Sequence, residues 1–320
     1  MPLVDIKEKW SGSVTELTLG ATKEEGGTRT TKITVGGSNT LPNLTYEGQN
    51  PHRTAVAMEV FSKTPEDWPE TVSSCFTGVL NNPAAWAKKN VEEYGADLIC
   101  LKLDGAHPDR GNASPKECAD VVKSVLAAVG VPLIIWGCGV EEKDNEVLPV
   151  VSQATAGENC LLGTITEKNY KTLVASAQAD GHKVIAESPL DINIAKQVNI
   201  LASDMGFPLE RLVIFPTTGA LGYGMEYAYS IMERGRIAAL NADKILGLPV
   251  ICDVGYEAWR AKEAKASEKD FPAWGEQARR GVLWESITAT VLFQAGAEIL
   301  IMRHPKAVAA IKKTIAKLQA

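Results

Sequence analysis

From residue 51 onward, short runs of nearly unbroken apolar residues alternate with longer stretches whose apolar positions recur every three or four residues. The apolar runs are AVAMEVF (55–61), DLICLKL (97–103), PLIIWG (132–137), CLLGTI (160–165), KVIAES (183–188), RLVIFP (211–216), PVICDV (249–254) and EILIMR (298–303). Helical periodicity fills 83–95, 115–130, 167–181, 194–206, 225–247 and 274–296. Several of these stretches stop on a glycine just before the next apolar run, where a left-handed residue ends a helix. Near-continuous apolar strands suit a parallel sheet covered by helices. Eight alternations over about 270 residues predict an α/β protein built as a (β/α)8 TIM barrel, since a doubly wound sheet has fewer strands. The phosphate fingerprints of that alternative, GxGxxG after the first strand and GxxxxGK[ST], are absent.

Residues 1–50 have a different pattern. VTELTLG (14–20) and RTTKITVGG (29–37) alternate polar and apolar positions around KEEGG (23–27), which predicts an antiparallel hairpin. The expected division is therefore an N-terminal β-hairpin extension over 1–50 and a barrel over 51–320. The hairpin could plug the bottom of the barrel or present an interaction edge.

Composition narrows the partners. Hydrophobic residues make up 45% and charged residues 22%, ordinary for a globular chain. A net charge of −6 supplies no basic field for a phosphate backbone, so nucleic acid is not an expected partner. The start MPLVDIKEKW has no apolar core of a signal peptide, and SITATVLFQAGAEILIMR (286–303) is broken by Gly296 and Glu298 before it can span a bilayer. The six cysteines are scattered without CxxC or zinc spacing. Reduced thiols, a cytoplasmic location and no membrane association are the expectations.

In such a barrel, ligands bind at the carboxyl ends of the strands. Those ends carry Glu59, Asp104, Cys138, Glu187, Thr217, Thr218, Asp253 and Arg303. Cys100, Lys102 and Asp104 share one strand face, with Lys102 ~6–7 Å below Asp104. Lys102 could pair with Asp104, Glu59 or Glu187, form a Schiff base, or act as a base. A buried charge needs a partner in any of these roles.

Four segments stand out around this face. The loop DGAHPDRGNASP (104–115) offers His107 and Arg110 as donors to a polar or anionic ligand, and SPKE (114–117) predicts a capping box on the next helix. FPTTGALGYGMEY (215–227) combines threonines with glycines that let backbone approach a flat ligand. The connection 62–83 is long enough for a lid or an interface. Asp253 and Tyr256 form another edge, whereas the charged run WRAKEAKASEKDFPAW (259–274) reads as a solvated surface.

The runs VAMEVFSKTPEDWPE (56–70), DLICLKLDGAHPDRGNASPKE (97–117), PLIIWGCGVEEKDNEVLP (132–149), FPTTGALGYGMEYAYSIMERGR (215–236) and CDVGYEAW (252–259) together resemble the small (delta) subunit family of the corrinoid/iron–sulfur protein of the acetyl-CoA decarbonylase/synthase (Wood–Ljungdahl) system. The resemblance covers nearly the whole chain. It implies a heterodimer with a large subunit that carries a [4Fe–4S] cluster and the corrinoid-binding domain, the corrinoid (cobamide) being shared between the two. It also implies a methyl group received from methyltetrahydrofolate through a separate methyltransferase and passed to acetyl-CoA synthase.

The cysteines here have no spacing compatible with the cluster, so no iron–sulfur cluster is expected in this chain. The string Asp104-Gly-Ala-His107 lacks the DxHxxG spacing of a cobalt-ligating histidine, so His107 is not expected to bind metal. The resemblance implies a cap over one corrin face, with Asp104, His107, Arg110, Thr217, Thr218, Gly219, Gly222 and Tyr223 as cofactor-binding residues and none of them catalytic. The alternatives are a pterin-binding methyltetrahydrofolate methyltransferase barrel, a Schiff-base aldolase using Lys102, and a scaffold that touches no ligand.

Overall fold

Eight parallel strands form the centre of the molecule, and each begins within two residues of its apolar run: β3 (Ala55–Phe61), β4 (Leu98–Lys102), β5 (Leu133–Trp136), β6 (Leu161–Ile165), β7 (Lys183–Glu187), β8 (Leu212–Phe215), β9 (Ile251–Asp253) and β10 (Ile299–Met302). Two short strands precede them, β1 (Leu17–Leu19) and β2 (Ile33–Val35). The computed structural model describes residues 6–319.

The strand order is β8-β7-β6-β5-β4-β3-β10-β9. A single parallel bridge between Ile214 and Val250 joins the two edges, so the sheet curls into a barrel with one thin seam. The helices follow in chain order: α1 (Glu70–Ser73), α2 (Pro83–Glu92), α3 (Pro115–Ala128), α4 (Glu141–Ala154), α5 (Tyr170–Asp180), α6 (Ile192–Asp204), α7 (Met225–Leu240), α8 (Val254–Arg260), α9 (Lys262–Lys265), α10 (Gln277–Gln294) and α11 (Pro305–Leu318).

Side chains that alternate along each strand divide the core in two. Val56, Met58, Val60, Ile99, Leu101 and Leu300 pack outward against the helices. Ala57, Leu98, Cys100, Ile134, Leu161, Ile185, Val213, Ile251 and Ile301 fill the barrel interior. Leu17, Leu19 and Val35 belong to that inner cluster, so of the two roles open to the hairpin it takes the plug. Its strands pair antiparallel, with Leu17 opposite Val35 and Leu19 opposite Ile33. Arg29 fastens it below. The guanidinium donates to Glu158 at 2.8 Å and to the Leu126 carbonyl at 2.8 Å, and is itself 3% exposed.

Helix boundaries depart from the periodic pattern where local chemistry intervenes. The stretch 225–247 stops being helical at Leu240, because Ala242 turns left-handed (φ 66°) and the Asp243 carboxylate takes the amides of Ile245 and Leu246. The helices α4 and α11 were not among the periodic stretches above; α4 opens on three acidic residues in its first turn and carries Pro149 inside. The capping box at Ser114 forms as expected, the Glu117 amide donating to Ser114 Oγ and the Ser114 amide to the Glu117 carboxylate. Among the described residues, no helix is long and apolar enough to cross a membrane.

Candidate functional site at the barrel mouth

The carboxyl ends of the strands form a floor of paired charges. Lys102 at the end of β4 donates to Asp253 at 2.6 Å and lies 3.0 Å from Glu59. Arg303, just past β10, donates from Nε to the other oxygen of Glu59. All four side chains are buried. Burial alone would pull the Lys102 ammonium down, but Asp253 and Glu59 outweigh it and hold it above the usual lysine range. Burial likewise pushes Glu59 up, and the facing Arg303 and Lys102 overcome this and keep it ionised. Lys102 thus has Glu59 and Asp253 as partners, not Asp104 or Glu187. An amine fixed as ammonium between two carboxylates is neither a Schiff-base nucleophile nor a base.

Above this floor the mouth opens into two adjoining lobes. The first, about 1070 Å³, is lined by Phe61, Trp136, Phe215 and Tyr256 and by the carboxyls of Asp104, Asp144, Glu187, Asp253 and Glu257. Trp136 and Phe215 meet edge to face at 5.0 Å. Burial raises the pKa of each of these five acids. Asp144 accepts the amides of Cys138 (2.7 Å) and Gly139 (3.0 Å) and shapes the turn after β5. A Cβ on Gly137 would sit 2.5 Å from that carboxylate, so the turn requires glycine there. Asp253 Oδ1 is buried with no hydrogen-bond partner.

The second lobe, about 1240 Å³, shares Phe61, Asp104, Arg110 and Tyr256 with the first. Trp68, Trp259, Lys63, Arg260, Lys265 and Arg303 complete much of its wall. The long connection 62–83 therefore contributes Trp68 to the mouth. The charged run 259–274, expected to be a solvated surface, contributes Trp259, Arg260 and Lys265.

Of the sequence-derived candidates, Asp104, His107, Arg110 and Thr217 line the first lobe. Asp104 accepts from Ser62 Oγ and the Lys63 amide, both at 3.2 Å, and lies 3.9 Å from Arg110. Thr217 adopts φ 57°, strained for a β-branched residue, and its hydroxyl donates to the Ser188 carbonyl at 2.9 Å. Thr218 lies beneath the surface, where its hydroxyl accepts the Asp253 amide at 2.8 Å. Gly219, Gly222 and Tyr223 fall outside both linings. Gly219 packs against the Gly224 backbone, Gly222 faces Trp284, and the exposed Tyr223 donates its hydroxyl to Glu263 at 2.9 Å.

Sequence reading of the strand ends found Glu59, Asp253 and Arg303 but not Trp136 or Phe61. The signal was available, since Trp136 lies two positions beyond inward-facing Ile134.

Among the described residues, no group of three or more His, Cys, Asp or Glu side chains could hold a metal ion. Cys75 and Cys138 are half-buried and the other four cysteines are buried. Burial pushes the Cys138 thiol at the mouth up to about 12, which keeps it protonated.

Comparison with solved structures recovers the barrel. Dihydropteroate synthase from Xanthomonas albilineans in complex with 7,8-dihydropteroate superposes with a TM-score of 0.56 at 17% identity, over 84% of this chain and 94% of that one. The Stenotrophomonas maltophilia dihydropteroate synthase with active site-bound imidazole gives 0.56 at 18% identity over the same shares. At such identities the likeness carries the fold alone.

Sequence relatives go further. The acetyl-CoA decarbonylase/synthase complex subunit delta of Archaeoglobus fulgidus is 38% identical over 313 residues, covering 96% of this chain and 69% of that protein. The protein of the same name from Methanosarcina mazei is 36% identical over 310 residues, covering 95% and 70%. The family model described as CO dehydrogenase/acetyl-CoA synthase delta subunit matches residues 16–315, from the plug strand β1 into the last helix. The chain belongs to the CO dehydrogenase/acetyl-CoA synthase delta-subunit family.

Proposed function

We propose that this chain is the small subunit of a heterodimeric corrinoid/iron–sulfur methyl carrier within an acetyl-CoA decarbonylase/synthase system, and that its barrel mouth caps a cobamide presented by the large subunit. The observation that carries this reading is a broad open mouth over a floor whose four charges, Lys102, Arg303, Glu59 and Asp253, are paired with one another. The donor set suits such a group. Asp104, Glu187 and the unpartnered Asp253 Oδ1 are acceptors for amide NH₂ groups on the rim of a corrin, while Trp136, Phe215 and Tyr256 offer apolar surface. A bound cobamide would supply the cobalt that carries the methyl group.

The work of this chain is then to orient the ring, keep water from it and be displaced when other proteins need access. The methyl group would reach the carrier from methyltetrahydrofolate through a separate methyltransferase, and acetyl-CoA synthase would be the acceptor.

Purified alone, the chain is expected to be colourless; co-expressed with the large subunit, it yields a heterodimer whose cobamide absorbance requires both chains. A second reading, a pterin-binding methyltransferase, draws on the same Asp253 Oδ1, which could accept from an aminopyrimidine edge. Against it, no asparagine lines either lobe to donate to a ring carbonyl. Methyl transfer from methyltetrahydrofolate to free cobalamin by the isolated chain at enzymatic rates would replace the first reading with the second.

A further inference from the structure

The two lobes of the mouth differ in charge. The first sets five carboxyls against two cations, Lys102 and Arg110. The second gathers Lys63, Arg110, Arg260, Lys265 and Arg303. Within it, Arg303 is 5% exposed, its Nε is taken by Glu59, and its guanidinium lies over the Trp68 ring at 4.4 Å from the centroid. Among the described residues, no acceptor takes a hydrogen bond from its two terminal nitrogens. A guanidinium fixed at one edge by a carboxylate and stacked on an indole leaves its other edge preorganised for a bidentate oxyanion.

Lys265 on α9 lines the same lobe and has no ion-pair partner among the described residues. The acids nearby do not cancel these cations. Glu66, Asp67 and Asp109 lie at the rim, exposed to water that screens them, with the Glu66 and Asp109 side chains 85% and 92% exposed. Of the cations, Arg260 is paired with Glu257 at 3.0 Å, which leaves Arg303 and Lys265 to carry the site. Asp104 takes the Ser62 hydroxyl and the Lys63 amide on one oxygen and faces Arg110 at 3.9 Å with the other.

We propose that the second lobe is a subsite for the terminal oxyanion, phosphate or carboxylate, of a small molecule whose flat or apolar body rests on Trp68 and Tyr256. The acidic first lobe repels the same group, so the charge asymmetry fixes the direction in which such a ligand lies. The subsite does not depend on the cobamide reading, although its lobe shares Phe61, Asp104, Arg110 and Tyr256 with the one assigned to the corrin.

The test uses the isolated chain without cobamide. Inorganic phosphate and acetate are titrated at constant ionic strength balanced with chloride, and tryptophan fluorescence is followed, Trp68 lying against Arg303 in the lobe. A saturable change is expected. Lys265→Gln, at an exposed unpaired position, raises the apparent Kd about threefold. Arg303→Lys keeps the charge, loses the fork and raises it about tenfold or more. Saturation by phosphate alone identifies a phosphorylated ligand, and saturation by both anions extends the class to carboxylates. The absence of saturation with either anion, or an unchanged Kd in folded Lys265→Gln, overturns the subsite whether or not the heterodimer binds cobamide.

Discussion

At the scale of single residues, two neighbours beneath the mouth oppose each other in pH. Glu285 on α10 is fully buried and accepts from Trp259 Nε1 (2.6 Å) and from the amides of Arg303 (2.6 Å) and His304. Burial pushes its pKa up to about 7 from an ordinary 4.5. The folded state therefore binds the extra proton between these values, and the Glu285 contribution to stability is present below pH 4.5 and lost as pH rises through 7. His304 caps α11 by accepting the Lys306 amide, and burial pulls its pKa down to about 4 from 6.5. There the unfolded state binds the extra proton, so the His304 contribution is present above pH 6.5 and lost as pH falls through 4. Each effect is worth up to about 3 kcal/mol, and over the shared window they cancel. Urea unfolding at several pH values should uncover them singly. Relative to wild type, Glu285→Gln gains a slope that rises with pH, whereas His304→Asn, which keeps an N-cap, gains one that falls. Curves parallel to wild type for both variants would sink this account.

At the scale of elements, the hairpin is part of the barrel core. Leu17 is 2% exposed and Leu19 fully buried, both within the cluster that fills the barrel interior. Leu19→Ala is accordingly expected to cost about 2–5 kcal/mol, as much as Leu98→Ala in β4. A loss below about 1 kcal/mol in denaturant unfolding would mean that the hairpin merely rests on the outside. The eight barrel strands were legible because each is buried on both faces and so reads as an unbroken apolar run, β3 coinciding with its run over Ala55–Phe61. The hairpin was legible as an alternating pattern, but its contact with the barrel interior joins residues from 20 positions (Val35 and Ala55) to 284 positions (Leu17 and Ile301) apart, which no local pattern encodes. The strand ends gave most of the mouth for the same reason as the strands themselves: period two fixes which residues point inward. Within the segment 217–223 only Thr217 lines the mouth, because glycine permits a close backbone approach without saying what approaches. Gly219 meets Gly224, and Trp284 donates to the Leu221 carbonyl. The pairing of Lys102 with Asp253, 151 residues away, likewise depends on barrel closure.

At the scale of the whole molecule, the barrel is unevenly closed. Strand β3 pairs with β4 over five residues, whereas β8 and β9 meet at one bridge, with the Ile214 amide donating to the Pro249 carbonyl at 2.8 Å. Val250, on the far side of that bridge, is held from β10: its amide donates to the Glu298 carboxylate at 2.7 Å and its carbonyl accepts the Glu298 amide at 2.9 Å. Opening the seam between β8 and β9 therefore breaks few ladder bonds and leaves Val250 tethered. Local openings of this kind set amide exchange rates below the global unfolding limit. The Ile214 amide should exchange at least about tenfold faster than the ladder amides of β4, as read by native-state hydrogen exchange at low denaturant, and with a weaker denaturant dependence. Opening there would also disturb Thr217 and the Thr218 hydroxyl that holds the Asp253 amide, both immediately downstream of β8. Equal exchange at Ile214 and across β4 would instead require a barrel that opens only as a whole, with a mouth as rigid at β8 as at β4.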